Sequence, residues 1–194
     1  MNGTFYKLLS QDLTAFGGYQ WRIGGTHRPV LRKAKRDRIV TVADLNSGRC
    51  NNSVLYASRT IEDASRYAPA WPYRLFEVHG VPVVEGDDKA GFLQLRLGVE
   101  LDVARVFGPN GAAVVKVLRR CERLTTNEID QLSAARYTAQ YAAWYAARYA
   151  ARDATEALSV ADLVGQYGYT QEHHDMLLKP WITVIGKTWE NNNE

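Results

Sequence analysis

Hydrophobic and polar positions alternate with a period of two in several short stretches of the first half of the chain. Residues 5–9 form an aromatic and aliphatic run, and between two glycine pairs Tyr19, Trp21 and Ile23 alternate with polar neighbours. Residues 54–57 are a further apolar run. Short runs of this kind, bounded by glycines and polar clusters, are typical of half-buried strands. The pattern therefore predicts strands at these three places.

Further strands are predicted downstream, with one short helix between them. In residues 74–80, positions 75 and 77 share one side and 74, 76 and 78 the other; residues 92–97 and 112–118 are later apolar runs. Thr60, followed by two acidic residues, has the form of a helix N-cap. Many strands with few helices predict an α+β body with a small mixed or antiparallel sheet, spanning residues 1–124.

The pattern changes to a helical one after residue 124. Thr125 and Glu128 form a capping box, and no proline or glycine follows until about residue 164. Alanine, the strongest helix former, recurs in a four-residue repeat. The sequence predicts one long helix over 125–165. Residues 166–194 are predicted to hold a short helix, capped by Thr170 and ended by Pro180, and a tail.

The repeat places aromatic residues at a spacing of four, which turns about 400° and so drifts about 40° per step. A heptad coiled coil keeps its seam at 3.5, so a leucine-zipper-like dimer is not expected. Two interpretations stay open: the helix packs along its own domain, or its aromatic row binds a partner or a second copy. The candidate partner-binding residues are Tyr137, Tyr141, Trp144, Tyr145, Tyr149 and Trp181.

Charge adds one candidate surface. The formal net charge is +3, which neither demands nor excludes nucleic acid. The basic residues are concentrated in one segment, and arginine and lysine neutralise phosphates whatever the base sequence. A solvated loop is the competing interpretation. The candidate phosphate-binding residues are Arg28, Arg32, Lys33, Lys35, Arg36 and Arg38.

Other chemistry is sparse. Two cysteines and four histidines show no metal-ligand spacing, so no metal site and no cofactor are predicted. Glu77 and His79 share a strand face and could form an acid–base pair, although a structural role is the favoured interpretation. The first residues do not resemble a signal peptide, and no apolar run approaches the ~20 residues that cross a bilayer. We therefore expect a cytoplasmic protein without a membrane partner.

Most of the body resembles a domain of unknown function found in bacteriophage proteins. The matching segments are residues 5–7, 18–24, Cys50, 55–57 and the helix at Tyr67, followed by 76–80 and 88–89. In that family a His and a second Cys commonly follow the first Cys; here those places hold Tyr56 and Ser58. The alanine repeat and residues 178–181 are similar to C-terminal segments of actinobacteriophage proteins.

A second stretch resembles the middle of ADP-ribosyltransferase folds. Residues 54–58, the helix through Asp63 and Tyr67, and residues 73–78 follow the strand–helix–strand order that frames a nicotinamide pocket. The resemblance implies NAD as cofactor. It also implies a ribose-holding residue on the first strand, Tyr6 or Lys7, and a late glutamate. The weak catalytic candidates are Tyr6, Tyr56 and Glu100.

These observations lead to three functional hypotheses. The first is a non-enzymatic, phage-encoded accessory protein that binds a host or phage protein in the host cytoplasm, as an inhibitor or modulator, with self-association through the long helix. The second is an ADP-ribosyltransferase-like enzyme that uses NAD. The third is nucleic-acid binding through residues 28–38.

Overall fold

A computed structural model describes residues 3–15, 18–29, 42, 54–135 and 143–190, with the backbone alone at 135 and 143–146. The chain divides into two compact units, Met1–Val106 and Phe107–Glu194. Helices and antiparallel sheets both occur, so the predicted α+β class is confirmed. None of the described helices has the length and apolar character needed to cross a membrane.

The described strands of the first unit all pair antiparallel. In chain order they are β1 (Gly3–Ser10), β2 (Thr14–Ala15), β3 (Tyr19–Gln20), β4 (Thr26–His27), β5 (Leu55–Ala57), β6 (Tyr73–Gly80), β7 (Pro82–Glu85), β8 (Ala90–Phe92) and β9 (Leu95–Leu101). They form a four-stranded sheet of order β1-β6-β9-β4, a three-stranded sheet of order β5-β8-β7 and the small pair β2-β3.

Alternation along β1 and β6 sets the two faces of the four-stranded sheet. Phe5 and Leu9 from β1, with Phe76 and Val78 from β6, belong to the core that also holds Phe92 of the three-stranded sheet. The rings of Phe5 and Phe92 meet edge to face at 4.8 Å. The sheet therefore has a core face towards β5-β8-β7 and an outer face on its other side, and the residues between the core positions belong to the outer face.

Most of the local structure predicted from the sequence of this unit is confirmed, with one exception at residues 19–23. Thr60 caps α1 (Ile61–Ser65), and its hydroxyl accepts a hydrogen bond from the Asp63 amide at 3.0 Å, as predicted. The predicted strands at 5–9 and 54–57 are confirmed as β1 and β5. The alternation predicted for 19–23 was wrong beyond Trp21: the chain turns at Gly25, whose amide donates to the Arg22 carbonyl at 3.0 Å. This turn leaves Ile23 exposed.

The second unit is helical. Its helices are α2 (Gly111–Cys121), α3 (Thr126–Ala135), α4 (Ala143–Ser159) and α5 (Gln171–Val184). Helix α4 contacts the other three helices, and α3 also contacts α5. The alanines of α4 at positions 147, 150, 151, 154 and 157 are buried. Since alanine adds almost no bulk, neighbouring helices approach α4 closely on this side. Of the two interpretations of the repeat, packing of the helix within its own domain is thus confirmed for the side of α4 that carries these alanines.

A single helix over 125–165 is not what forms. The capping box is confirmed, with the Thr125 amide donating to Glu128 Oε2 at 2.8 Å, and the structure describes α3 over Thr126–Ala135 and α4 over Ala143–Ser159. Helices α3 and α4 contact each other, which two halves of one straight helix cannot do. Packing of the alanine face against α3 buries more apolar surface than an extended helix would.

Two other boundaries differ from the prediction. Residues 112–118 belong to α2, not to the body, and Val114 and Val117 are buried in the helical core. The units divide at 106/107 instead of 124/125. Helix α5 starts at the Thr170 cap, as predicted, but continues through Pro180 to Val184. Burial of Leu178 and Trp181 on either side of Pro180 offsets the backbone hydrogen bond that proline cannot make.

Candidate functional site on the outer face of the four-stranded sheet

Strand β6 presents an acid and a base on the outer face. Because Phe76 and Val78 enter the core, Glu77 and His79 belong to the opposite face. His79 is exposed and Glu77 is half-buried. The alternation that predicted residues 75 and 77 on one side is confirmed here, and it carries on to His79. A carboxylate and an imidazole therefore stand next to each other along one strand.

The sheet register adds a phenol and a guanidinium. Tyr6 of β1 is the cross-strand partner of Glu77, and Arg96 of β9 is the partner of His79. Side chains of paired residues share a face, with Cβ atoms about 4.5–5.5 Å apart. Tyr6 is held from both sides, because its amide also donates to the Ser58 carbonyl at 2.7 Å. We call Tyr6, Glu77, His79 and Arg96 the outer-face site.

Gly98 makes room for the imidazole of His79. A Cβ atom at Gly98 would lie 2.8 Å from His79 Nε2 and 3.0 Å from the Glu77 carbonyl oxygen. The pairing of β6 with β9 is irregular between Phe76 and Val78, where β9 contains one residue more than β6. The ring of His79 therefore lies against the backbone of β9 at a position that a side chain would occupy.

The four side chains of the outer-face site have no polar partner among the described residues. Within the described part of the chain, the Tyr6 hydroxyl, the Glu77 carboxylate, the His79 ring nitrogens and the Arg96 guanidinium make no hydrogen bond or ion pair. Surface charges in this unit are otherwise often paired, as Arg59 is with Glu85 and Arg74 with Glu100. The site thus offers a proton acceptor, a proton donor and a fixed cation that a ligand can use.

A further arginine, Arg28, lies near this site. Arg28 is two residues beyond Thr26, the cross-strand partner of Arg96, and is exposed. Its Nη2 donates to Gln94 Oε1 at 3.4 Å. Arg22, at the start of the turn before β4, is also exposed. Of the predicted phosphate-binding residues the structure therefore describes Arg28 alone. The others, Arg32, Lys33, Lys35, Arg36 and Arg38, lie outside the described residues.

The three weak catalytic candidates do not meet. Tyr6 is on the outer face. Glu100 is the cross-strand partner of the core residue Phe76, which places it on the other face, and its carboxylate accepts from Arg74 Nε at 2.8 Å. That hydrogen bond holds the pKa of Glu100 below its ordinary value. Tyr56 is in the three-stranded sheet. The four-stranded sheet therefore separates Tyr6 from Glu100.

Lys7, the alternative to Tyr6 in the NAD hypothesis, is placed differently. Its Nζ donates to the Tyr56 carbonyl at 2.7 Å and lies 5.1 Å from the centre of the Trp21 ring. The ring of Tyr56 also has Lys89 Nζ at 5.5 Å. Lys7 and Glu100 are both partners of Phe76 in the sheet register. Lys7 and Tyr56 thus come together, whereas the Glu100 carboxylate is engaged by Arg74.

The predicted partner-binding residues have mixed outcomes. Tyr137 and Tyr141 lie outside the described residues, and Trp144 and Tyr145 are described by their backbone only. Tyr149 is exposed on α4. Trp181 is wrong as a partner-binding residue, because its side chain is completely buried in the helical core. The proline that precedes Trp181 in the sequence predicted a helix end there and concealed that α5 continues through Pro180.

Arg96 is the functional candidate that sequence reasoning missed. Its signal was present: it stands between Leu95 and Leu97, and both leucines are buried, so an arginine between them belongs to the outer face. The sequence alone does not show that the strand of Arg96 pairs with the strand of His79.

Among the described residues no group of three or more His, Cys, Asp or Glu side chains could hold a metal ion.

Comparison with known proteins adds no relative. No family model, no curated protein and no solved structure matches the chain.

Proposed function

We propose that this protein binds single-stranded nucleic acid on the outer face of its four-stranded sheet. The observation that carries the proposal is the row His79–Arg96–Thr26, in which an exposed arginine without an acidic partner in the described chain lies between an imidazole and a hydroxyl. Arg28, two residues after Thr26, is a further exposed arginine just beyond β4. Arginine side chains that are free of carboxylates are available to phosphate oxygens.

The remaining side chains suit bases better than a protein partner. Tyr6 provides an aromatic ring, and histidine rings and guanidinium planes also stack on bases. Base stacking tolerates any sequence because every base has a π face. A sheet surface with one such ring and several cations resembles the general plan of single-strand binding surfaces, where a positively charged groove follows the backbone. Glu77 is the one carboxylate within the outer-face site.

Salt dependence tests the proposal directly. Binding of the full chain to a fluorescently labelled single-stranded oligonucleotide is measured by anisotropy over a series of salt concentrations. The logarithm of the affinity should fall linearly with the logarithm of salt, and Arg96→Ala should reduce that slope by about 0.7, the value for one phosphate on a single strand. Arg119→Ala, an exposed arginine of α2, is the matched control and should leave the slope unchanged. Binding that is absent, or equal in both variants, contradicts the proposal.

A second candidate function is the accessory role expected from the phage-protein resemblance, in which the chain binds a host or phage protein. Tyr149 supports it, because it is exposed while the alanines at 147, 150, 151 and 154 of the same helix are buried. A tyrosine on the uncovered side of a helix offers apolar area and a polar tip to a partner. Tyr145 precedes it by one helical turn.

Paired substitution tests this second function. Retention of host-lysate proteins by the immobilised chain, and the chain's own elution volume in size-exclusion chromatography, are compared with those of the variant Tyr145→Ala/Tyr149→Ala. Specific association that is lost in the variant supports a docking surface on α4. Arg152→Ala, also exposed on α4, serves as control. If association is unchanged by loss of both tyrosines, this surface is not the docking site.

A further inference from the structure

We propose that the outer-face site is a catalytic site that cleaves RNA by attack of the ribose 2′-hydroxyl on the adjacent phosphodiester. The proposal rests on the nucleic-acid binding proposed above and adds a reaction to it. Glu77 is the general base, His79 is the general acid, and Arg96 stabilises the charge on the phosphate in the transition state. These three groups lie on one face of two neighbouring strands and make no competing contact in the described chain.

The spacing along β6 fits the two ends of the reacting group. Residues two apart on a strand are about 7 Å apart on the same face. In an in-line displacement the attacking and leaving oxygens are on opposite sides of phosphorus, and each needs a proton acceptor or donor within about 2.6–3.2 Å. Glu77 and His79 can therefore bracket one phosphodiester, with each group at hydrogen-bond distance from its own oxygen.

Arg96 is placed for the third role. It is the cross-strand partner of His79, so the Cβ atoms of the two residues lie about 5 Å apart on the same face. A guanidinium is always charged and can donate two parallel hydrogen bonds to the non-bridging oxygens of a phosphate. Cations aimed at developing negative charge commonly supply a large part of the rate enhancement. Tyr6, beside Glu77, supplies a ring on which a neighbouring base can stack.

The step balances with the groups that are present. The Glu77 carboxylate takes the proton of the 2′-hydroxyl as the 2′-oxygen forms a bond to phosphorus. The bond from phosphorus to the 5′-oxygen breaks, and the protonated imidazole of His79 gives its proton to that oxygen. The products are a 2′,3′-cyclic phosphate and a free 5′-hydroxyl. Glu77 is left protonated and His79 neutral, and proton exchange with water restores both.

The test compares matched oligonucleotides with the full chain. One is an RNA oligomer, and the other has a 2′-deoxy or 2′-O-methyl sugar at every position. We expect cleavage of the first, with a terminal 2′,3′-cyclic phosphate identified by mass spectrometry, and no cleavage of the second. Glu77→Gln and His79→Gln should each lower the rate by about 10²–10⁴-fold, the usual contribution of a general acid or base. Glu62→Gln, an exposed carboxylate of α1, should retain the full rate.

A second kind of variant moves a group without removing it. In Gly98→Ala the new Cβ would lie 2.8 Å from His79 Nε2, so the imidazole must shift. Cleavage should fall although all three proposed catalytic groups are retained, and binding of the 2′-O-methyl oligomer should change little. The thermal midpoint of every variant is compared with that of the original chain, so that loss of folding is not taken for loss of chemistry.

The outcomes separate the two proposals. If the 2′-O-methyl oligomer binds but RNA is not cleaved, the catalytic proposal fails and the binding proposal stands. If neither oligomer binds, both fail. Cleavage that persists in folded Glu77→Gln, or that yields no cyclic phosphate, assigns the activity to another site or a contaminant and overturns the catalytic proposal.

Discussion

At the scale of single residues, position relative to the core decides which polar groups are free to act. Glu100 and Glu77 are both strand glutamates, but Glu100 is engaged by Arg74, whereas Glu77 has no side-chain partner within the described residues. His27 and His79 differ in the same way: His27 is buried and accepts from the Arg22 amide at 3.1 Å, and His79 is exposed. Glu77 and His79 therefore differ from Glu100 and His27 in having side chains that a ligand can reach without displacing a partner among the described residues.

Glu128 gives a residue-scale prediction for pH dependence. Its pKa is lowered, first by the hydrogen bond from the Thr125 amide and further by the Thr125 hydroxyl and Arg120. A carboxyl whose pKa is lower in the folded state stabilises the protein above its unfolded pKa and loses that effect as pH falls through the folded pKa. At neutral pH, Glu128→Gln should therefore lower the free energy of unfolding by about 0.5 kcal/mol, because glutamine can still accept from the Thr125 amide but lacks the negative charge that favours a helix N-terminus.

Denaturant titration at several pH values checks this prediction. The difference between the original chain and Glu128→Gln should shrink as the pH falls below the ordinary pKa of a glutamate. Glu172→Gln is the matched control, since Glu172 is also in the first turn of a helix but makes no side-chain hydrogen bond in the described chain. A difference for Glu128→Gln that stays constant with pH would show that the carboxylate is not what stabilises the cap.

At the scale of elements, the alanine repeat works through close packing. Ala150, Ala154 and Ala157 are completely or almost completely buried where α4 contacts its neighbours, and their small size sets how near those helices come. The exposed positions of the same helix carry arginine and tyrosine, as at Arg148 and Tyr149. One repeat unit thus encodes both a packing surface and a solvent surface, because four residues exceed one helical turn only slightly.

Enlarging one of these alanines should separate the helices. Ala154→Leu inserts extra carbon atoms into a fully buried position and is expected to lower the free energy of unfolding by about 1–3 kcal/mol. Arg152→Leu, at an exposed position of the same helix, removes only a solvent-exposed ion pair with Glu156 and should leave the free energy of unfolding close to that of the original chain. Chemical denaturation measures both. Equal effects would mean that α4 is not closely packed at Ala154.

At the scale of the whole molecule, two units each contain their own core. The strands enclose Phe5, Phe76 and Phe92, and the helices enclose Val114, Leu132 and Trp181. A compact unit with its own core can fold by itself. Helix α2 distinguishes the observed boundary from the predicted one. It belongs to the helical unit, which begins at Phe107, whereas the boundary predicted after residue 124 would place it in the body.

Fragments distinguish the two boundaries. Residues 107–194, produced alone, should show a cooperative thermal transition, whereas residues 125–194 should not, because they lack the buried Val114 and Val117 of α2. Circular dichroism during heating measures this. A cooperative transition of similar midpoint in both fragments would place α2 outside the helical core.

Local signals explain what the sequence predicted correctly. The Thr60, Thr125 and Thr170 caps, and strands β1 and β5, depend on neighbours within a few residues, and all of them form as expected. The face assignment of Glu77 also follows from alternation alone. These features need no knowledge of which element packs against which.

Long-range packing decided the rest. A helix-forming repeat with no proline or glycine favours one uninterrupted helix, yet burial of the alanine face against α3 is available only in three dimensions. A proline such as Pro180 normally ends a helix, but burial of the Trp181 side chain in the helical core stabilises the part of α5 that follows it. The sequence by itself determined the helix caps, strands β1 and β5 and the sheet face on which Glu77 lies, because each of these depends on neighbours in the chain. Only the tertiary structure determined that Tyr6 and Arg96 lie beside Glu77 and His79, because pairing between distant strands is not a property of any local stretch.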